Sequence, residues 1–171
     1  IQEIENVSST ISAKDISAAI FKNKLLNISS DYTLEETGLR KVVYEEGSYV
    51  RTMLFKKSTK DSVHYAYIDV DAKTGEILSY SNFTNTDNAK KLDKASLLKA
   101  ANEICTTLAS DKFSEYKLTQ DKDSYYTYTR YVNDIPVPSD TISVEISPAD
   151  GKLVSYRINY TNTKLMACIL Q

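Results

Sequence analysis

Asp71-Ala72-Lys73-Thr74-Gly75-Glu76-Ile77-Leu78-Ser79-Tyr80 is echoed by Ser147-Pro148-Ala149-Asp150-Gly151-Lys152-Leu153-Val154-Ser155-Tyr156. Each stretch reads as a strand end, a tight glycine turn where positive φ is wanted, and a returning strand. The two glycines, 75 and 151, stand 76 positions apart, and that shift holds without a gap from 40–83 to 116–159. Lys41, Ser48, Tyr49, Gly75, Ser79 and Tyr80 then meet identical residues at Lys117, Ser124, Tyr125, Gly151, Ser155 and Tyr156. The apolar pattern agrees. Ala66, Ile68 and Val70 fall on Ile142, Val144 and Ile146, spaced by two as one face of a strand requires. The chain reads as two copies of one unit.

Upstream of each copy the apolar spacing changes to three and four. Ser12 caps a stretch whose Ile16, Ala19, Ile20 and Phe21, then Leu25 and Leu26, form a helical stripe. Asp93 caps a second one, with Leu97, Leu98, Ala101, Ile104, Cys105 and Leu108. The caps differ by 81 rather than 76, which predicts about five extra residues between helix and sheet in the first copy. Ser29-Ser30-Asp31 and Glu36-Thr37-Gly38 supply loop chemistry for them.

Four strands are predicted after each helix, near 40–45, 48–57, 63–70 and 76–83, then near 115–120, 124–132, 140–147 and 152–160. Connections this short force antiparallel neighbours, because a parallel pair needs a crossover of about a dozen residues. The predicted fold class is α+β: two tandem units, each one helix packed on a four-stranded antiparallel meander, divided as repeats 1–88 and 89–171.

Composition narrows the partners. The 171 residues are 42% hydrophobic and 26% charged, with four Gly and three Pro, inside the globular range. Lys plus Arg is 21 against 23 Asp plus Glu, so no basic field is offered to nucleic acid. No apolar run approaches the roughly 20 residues of a membrane span. The chain starts at Ile1 without Met or a signal-like stretch, as expected of a trimmed ectodomain.

The inventory for catalysis is thin. His64 is the single histidine, no nucleophile motif stands near it, and HExxH, GxSxG, P-loop and GxGxxG patterns are missing. Cys105 sits on the predicted helix as a buried core filler; Cys168, in the apolar tail 165–170, could pair with Cys105, with another chain, or with nothing. Asp69-Val70-Asp71-Ala72-Lys73-Thr74-Gly75 resembles the opening of a calcium loop but fails at Lys73, at the late glycine, and at Tyr80 where a bidentate Glu belongs. The carboxylate pairs Glu35-Glu36, Glu45-Glu46 and Asp121 with Asp123 sit in predicted turns as solvated charge. No catalytic residue, cofactor or metal is expected.

Two surfaces stand out. On 63–70, Val63, Tyr65 and Tyr67 face away from the helix, where the second copy has the ordinary wet face Ser139, Thr141, Ser143 and Glu145. With 13 Tyr and no Trp in the chain, this tyrosine face reads first as the seam between the copies and second as a docking place for another protein. Asn133, Asp134, Ile135, Pro136 and Pro138 form a stiff connection, either a second interaction surface or a rigid hairpin link.

Tyr128-Thr129-Arg130-Tyr131-Val132-Asn133-Asp134-Ile135-Pro136-Val137, followed by Asp140, Ile142, Val144, Ile146 and Asp150-Gly151-Lys152-Leu153-Val154-Ser155-Tyr156, resembles the PepSY-like repeat of the YcdB/YcdC type. That family shows an aromatic and Arg strand, an Asn-Gly-Ile-Pro-Val turn, an alternating strand, and an acidic hairpin ending in Ser-Tyr. Here Asp134 stands where Gly is usual, and the first copy keeps only 68–80 of the pattern, with Lys57-Ser58-Thr59-Lys60 in place of the Ile-Pro-Val turn. The resemblance implies a non-catalytic protein-interaction module, secreted or on the cell surface of a Gram-positive bacterium, whose partner is an extracellular peptidase that it inhibits or regulates. The alternative is a small-molecule or cell-wall ligand binder with a tyrosine-lined pocket.

Overall fold

Ser12 and Asp93 start the two helices as the sequence predicts. The Asp15 N–H donates to Ser12 Oγ at 3.1 Å, and the Ser96 N–H to Asp93 Oδ1 at 2.8 Å. The computed structural model describes residues 7–43, 45–83 and 91–161. Helix α1 spans Ala13–Lys22 and α2 spans Lys94–Leu108. Each is followed by a short 3₁₀ turn, Lys24–Leu26 and Phe113–Glu115. The first meander is β1 (Thr33–Lys41), β2 (Tyr49–Ser58), β3 (Val63–Asp71) and β4 (Ile77–Asn82). The second is β5 (Tyr116–Lys122), β6 (Tyr125–Val132), β7 (Ile135–Ile146) and β8 (Leu153–Ile158).

The two meanders are one sheet. Its order is β1-β2-β3-β4-β8-β7-β6-β5, antiparallel throughout, which corrects the expectation of two tandem helix-on-meander units. The join is the β4–β8 ladder, where Ser79 faces Arg157, Tyr80 faces Tyr156 and Ser81 faces Ser155. Strand periodicity could not reveal this, since it reports which face is apolar and not whether an edge is covered. The register is symmetric about Tyr80 and Tyr156, which are repeat equivalents 76 positions apart. The halves are thus related by a pseudo-twofold axis through the sheet.

Both helices lie on the same face. Tyr80 Oη donates to the Leu26 C=O just beyond α1, and Tyr128 Oη donates to Asn102 Oδ1 on α2 at 2.7 Å. Tyr80, Tyr156, Val144 and Tyr126 are cross-strand partners or near partners along that face. A single core follows, in which Ile16, Ile20, Leu97, Ala101 and Ile104 from the helices meet Phe55, Ile68, Ile142 and Val144 from the strands. Burying each such aliphatic side chain stabilises by roughly 1.5–3 kcal/mol, so a core shared across the join ties the halves together.

The register also corrects the gap-free alignment. The shift of 76 holds for β3–β4 against β7–β8, with matching irregularities after Asp69 and Glu145. In β1 and β5 the shift is 84, because the bulges after Leu34 and Leu118 coincide; in β2 and β6 it is 73, Phe55 matching Tyr128. Gly75, Ser79 and Tyr80 keep their partners, whereas Lys41, Ser48 and Tyr49 do not match Lys117, Ser124 and Tyr125. The first strand begins at Thr33 rather than near residue 40, so Glu36-Thr37-Gly38 is strand and not loop. Between cap and first strand the longer segment belongs to the second copy, where α2 has 15 residues against 10 in α1. Cys105 is buried as expected; Cys168 and the tail 165–170 lie outside the described residues.

Candidate functional site

Both helices lie on one face, and among the described residues no further element covers the other. On β3 the core-facing Ala66, Ile68 and Val70 alternate with Val63, Tyr65 and Tyr67, which are 49%, 41% and 55% exposed. The Tyr65 and Tyr67 ring centroids are 6.5 Å apart and tilted by 34°. The join between halves is made by β4 and β8, so these tyrosines are not the seam that the sequence reading put first. They stand on an open surface whose other half is hydroxyl-rich, with Thr127, Thr129, Thr141 and Ser143 at the corresponding places.

Beside Tyr67 the open face is notched. Gly38 on the edge strand β1 faces Thr52 on β2, and a Cβ built at Gly38 would meet Thr52 Oγ1 at 2.9 Å. The missing side chain leaves a groove of about 300 Å³ lined by Glu36, Gly38, Thr52, Leu54, Tyr67 and Asp69. Asp69 holds Arg40 at 3.6 Å, while Glu36 makes no ion pair among the described residues.

Asn133, Asp134, Ile135, Pro136 and Pro138 belong to a hairpin at the far side of the molecule. Asn133 and Asp134, with φ of 48° and 63°, form a two-residue turn between Val132 and Ile135. Pro136 and Pro138 lie inside β7, which starts at Ile135 and not near residue 140. Ile135 is 50% exposed at the tip. The pleat and strand order place this tip and the tyrosines at opposite ends, with β4 and β8 between β3 and β7; the structure does not bring the seven residues together.

Below the tip lies a polar site the sequence reading missed. The ladder skips from Thr141 to Val137 while β6 advances one residue, Thr129 to Arg130, and Asp140 takes the last inward position of the pleat next to this bulge. Arg130 and Asp140 side chains, 0% and 1% exposed, meet at 2.9 Å. Arg130 also bonds Glu115 Oε1 at 3.1 Å and the Thr161 C=O at 2.8 Å, and its guanidinium stacks 3.7 Å from the Tyr160 ring. Asp140 accepts the Thr161 N–H and hydroxyl. Burial opposes both charges, yet the bonds from Thr161 and Arg130 hold the Asp140 carboxyl below the usual range, and those from Asp140 and Glu115 raise Arg130. The signal was present: Asp140 keeps the two-residue phase of Ile142, Val144 and Ile146, and Arg130 that of Tyr126 and Tyr128. Charged residues in phase with an apolar face imply a buried pair.

These groups satisfy one another, and Asp140, Tyr160 and Thr161 also line an open cleft of about 530 Å³ whose other walls include Tyr49, Glu76 and Lys112. His64 Nε2 lies 2.9 Å from Ser62 Oγ at an exposed turn, without a carboxylate partner among the described residues. Asp71 Oδ1 accepts the N–H groups of Lys73 and Thr74, so the calcium-like stretch is a side-chain-closed turn. Burial pushes the Cys105 thiol up to about 12, leaving it inert. No group of three or more potential metal ligands gathers among the described residues, and no described helix is long and apolar enough to cross a membrane.

Comparison with known proteins follows the same line. No curated protein matches the chain. Among solved structures, the Bacillus megaterium YpeB C-terminal domain superposes with a TM-score of 0.63 at 11% identity, over 90% of this chain and 68% of that one. That fold is PepSY-like, and PepSY-like domains are generally non-catalytic and typically extracellular. The family model described as "YcdB, YcdC repeated domain" matches residues 18–160. The chain therefore belongs to the YcdB, YcdC repeated-domain family, and its single eight-stranded sheet is a PepSY-like fold.

Proposed function

We propose that this chain is a non-catalytic protein-interaction module, secreted by or displayed on a Gram-positive bacterium, whose partner is an extracellular peptidase. The observation that carries this reading is the one-sided cover of the sheet. Two helices shield one face, and the other keeps exposed aromatic residues beside edges unpaired among the described residues, an arrangement that accepts a partner better than a substrate. In this reading the repeats, residues 1–88 and 89–171, present one continuous surface.

The alternative, a small-molecule or cell-wall ligand in a tyrosine-lined pocket, is less well supported. Tyr65 and Tyr67 face outward, and only Tyr67 of the two lines the groove. The test is to mix the protein with secreted metallopeptidases of the source organism, then follow peptide hydrolysis and complex formation by size-exclusion chromatography. Slowed hydrolysis with a co-eluting complex is expected. Neither effect at micromolar protein would remove the peptidase from the reading.

A further inference from the structure

The sheet has two outer strands, and they differ. Beyond its bulge β1 runs unbroken for six pairs, Glu36 to Lys41, whereas β5 runs for three, Gln120 to Lys122. A bulge interrupts the row of groups that an added strand must match, so β1 is the better template.

Its outward groups can be assigned. The Val42 N–H donates to the Ser48 C=O at 2.9 Å, one step beyond the pair Lys41 and Tyr49. Facing pairs alternate between bonded and non-bonded in an antiparallel ladder. Gly38 with Thr52 and Arg40 with Val50 are therefore bonded pairs, and Thr37 and Leu39 turn their N–H and C=O groups away from β2.

A strand added to β1 would bond through Thr37 and Leu39. Its residue opposite Gly38 would then stand in the close, non-bonded position, about 4.5 Å away between Cα atoms, with its side chain on the open face. That is where the groove lies. Its floor is Gly38, its apolar wall Leu54 and the Tyr67 ring, and its acidic groups Glu36 and Asp69. A long basic side chain matches this lining: its methylenes cover Leu54 and the ring, and its cation reaches Glu36, which has no ion pair among the described residues.

We propose that β1 is the docking edge of this module and that it takes an extended peptide segment with lysine or arginine opposite Gly38. This rests on the protein-interaction reading above and adds the edge and the chemistry of the partner.

The probe is a short blocked peptide of threonine and valine with lysine at its centre, together with its central-glutamate counterpart, each titrated into ¹⁵N-labelled protein. The lysine peptide should shift the amides of Thr37 and Leu39 and bind about tenfold more tightly than the glutamate peptide. Glu36→Gln should remove most of that preference without disturbing the backbone. Gly38→Val should weaken both peptides by closing the groove, and Leu39→Pro should remove an outward donor on a strand edge that tolerates proline.

Shifts confined to β5 or to the tyrosine face, or equal affinity for the two peptides, would overturn the proposal. So would capture of a peptidase by Leu39→Pro as strong as by the wild type, although the interaction reading would then stand. Docking of the lysine peptide on β1 without any peptidase complex would support the edge and remove the peptidase.

Discussion

Asp31 and Glu115 are equivalent in the two halves, as are Lys57 and Arg130, yet the same corner is built in two ways. In the first half Lys57 and Asp31 form an ion pair with side chains 31% and 48% exposed, next to the Tyr32 ring. In the second, Arg130 is sealed between Glu115, Asp140 and the Tyr160 ring. The difference follows from what lies across the strand. His64 occupies the place of Asp140, the hairpin it belongs to ends at Ser58 and Val63, and no carboxylate stands at that position to meet Lys57. A solvated pair contributes little after entropy and screening are counted, whereas removing one partner of a buried pair strands the other without water. The first half has an ordinary surface corner, and the second has an internal clamp that fixes where the chain leaves β8.

The largest test of that contrast is Arg130→Met, which leaves Asp140 buried and uncompensated. It should destabilise the fold by about 3–5 kcal/mol in urea titration. Lys57→Met should leave the midpoint essentially unchanged. Equal losses would mean the two corners are not different in kind.

The next effect is in acid. Asp140 is held below the ordinary aspartate value of 3.8, so its contribution is complete above that pH and is lost as pH falls through its lower folded value. Asp140→Asn should be less stable at neutral pH and should show a flatter acid limb below about pH 4 in thermal melts. An unchanged acid limb would show that Asp140 is not what links stability to pH.

The join offers a smaller comparison. Tyr80 Oη has the Leu26 carbonyl, but Tyr156 Oη is buried without a hydrogen-bond partner among the described residues. Tyr80→Phe should therefore cost about 1 kcal/mol, and Tyr156→Phe nothing or a slight gain, measured by the same titrations. The smallest effect is expected at the tip. Asp134 has a φ of 63°, and its contact with Lys117 is solvated, so Asp134→Gly should stabilise by about 0.5 kcal/mol. A loss instead would show that the turn depends on its carboxylate.

Much of this architecture could be read from the chain, and the remainder resisted for definable reasons. The caps at Ser12 and Asp93, the core faces of β3 and β7, and the glycine turns are local, and each is set by spacing within a few residues. The β4–β8 ladder is not local, since Ser79, Tyr80 and Ser81 have the same alternation whether their edge faces solvent or another strand. Chance identities at Lys41, Ser48 and Tyr49 held the alignment at 76 where the strands are displaced by 84 and 73. That displacement hid β1 and with it the Gly38 groove. At the far end, Pro136 and Pro138 read as loop chemistry because proline lacks a donor; Pro138 falls in the bulge, where β7 has no registered partner, and Pro136 faces Tyr131 beside the turn. Of the surface residues, Tyr65 and Tyr67 were visible as aromatic groups out of phase with the core, and Ile135 as part of a proline-stiffened connection. Their separation to opposite ends needed the strand order.

The symmetry of the central ladder has one more consequence. Because Tyr80 opposes its own counterpart, a fragment carrying only the first meander would have a bare β4 that can pair with β4 of an identical fragment about the same dyad. Two such fragments would rebuild the same eight-stranded sheet from separate molecules, with tyrosine meeting tyrosine at the dyad. Fusion of the halves into one polypeptide makes that association intramolecular and independent of concentration.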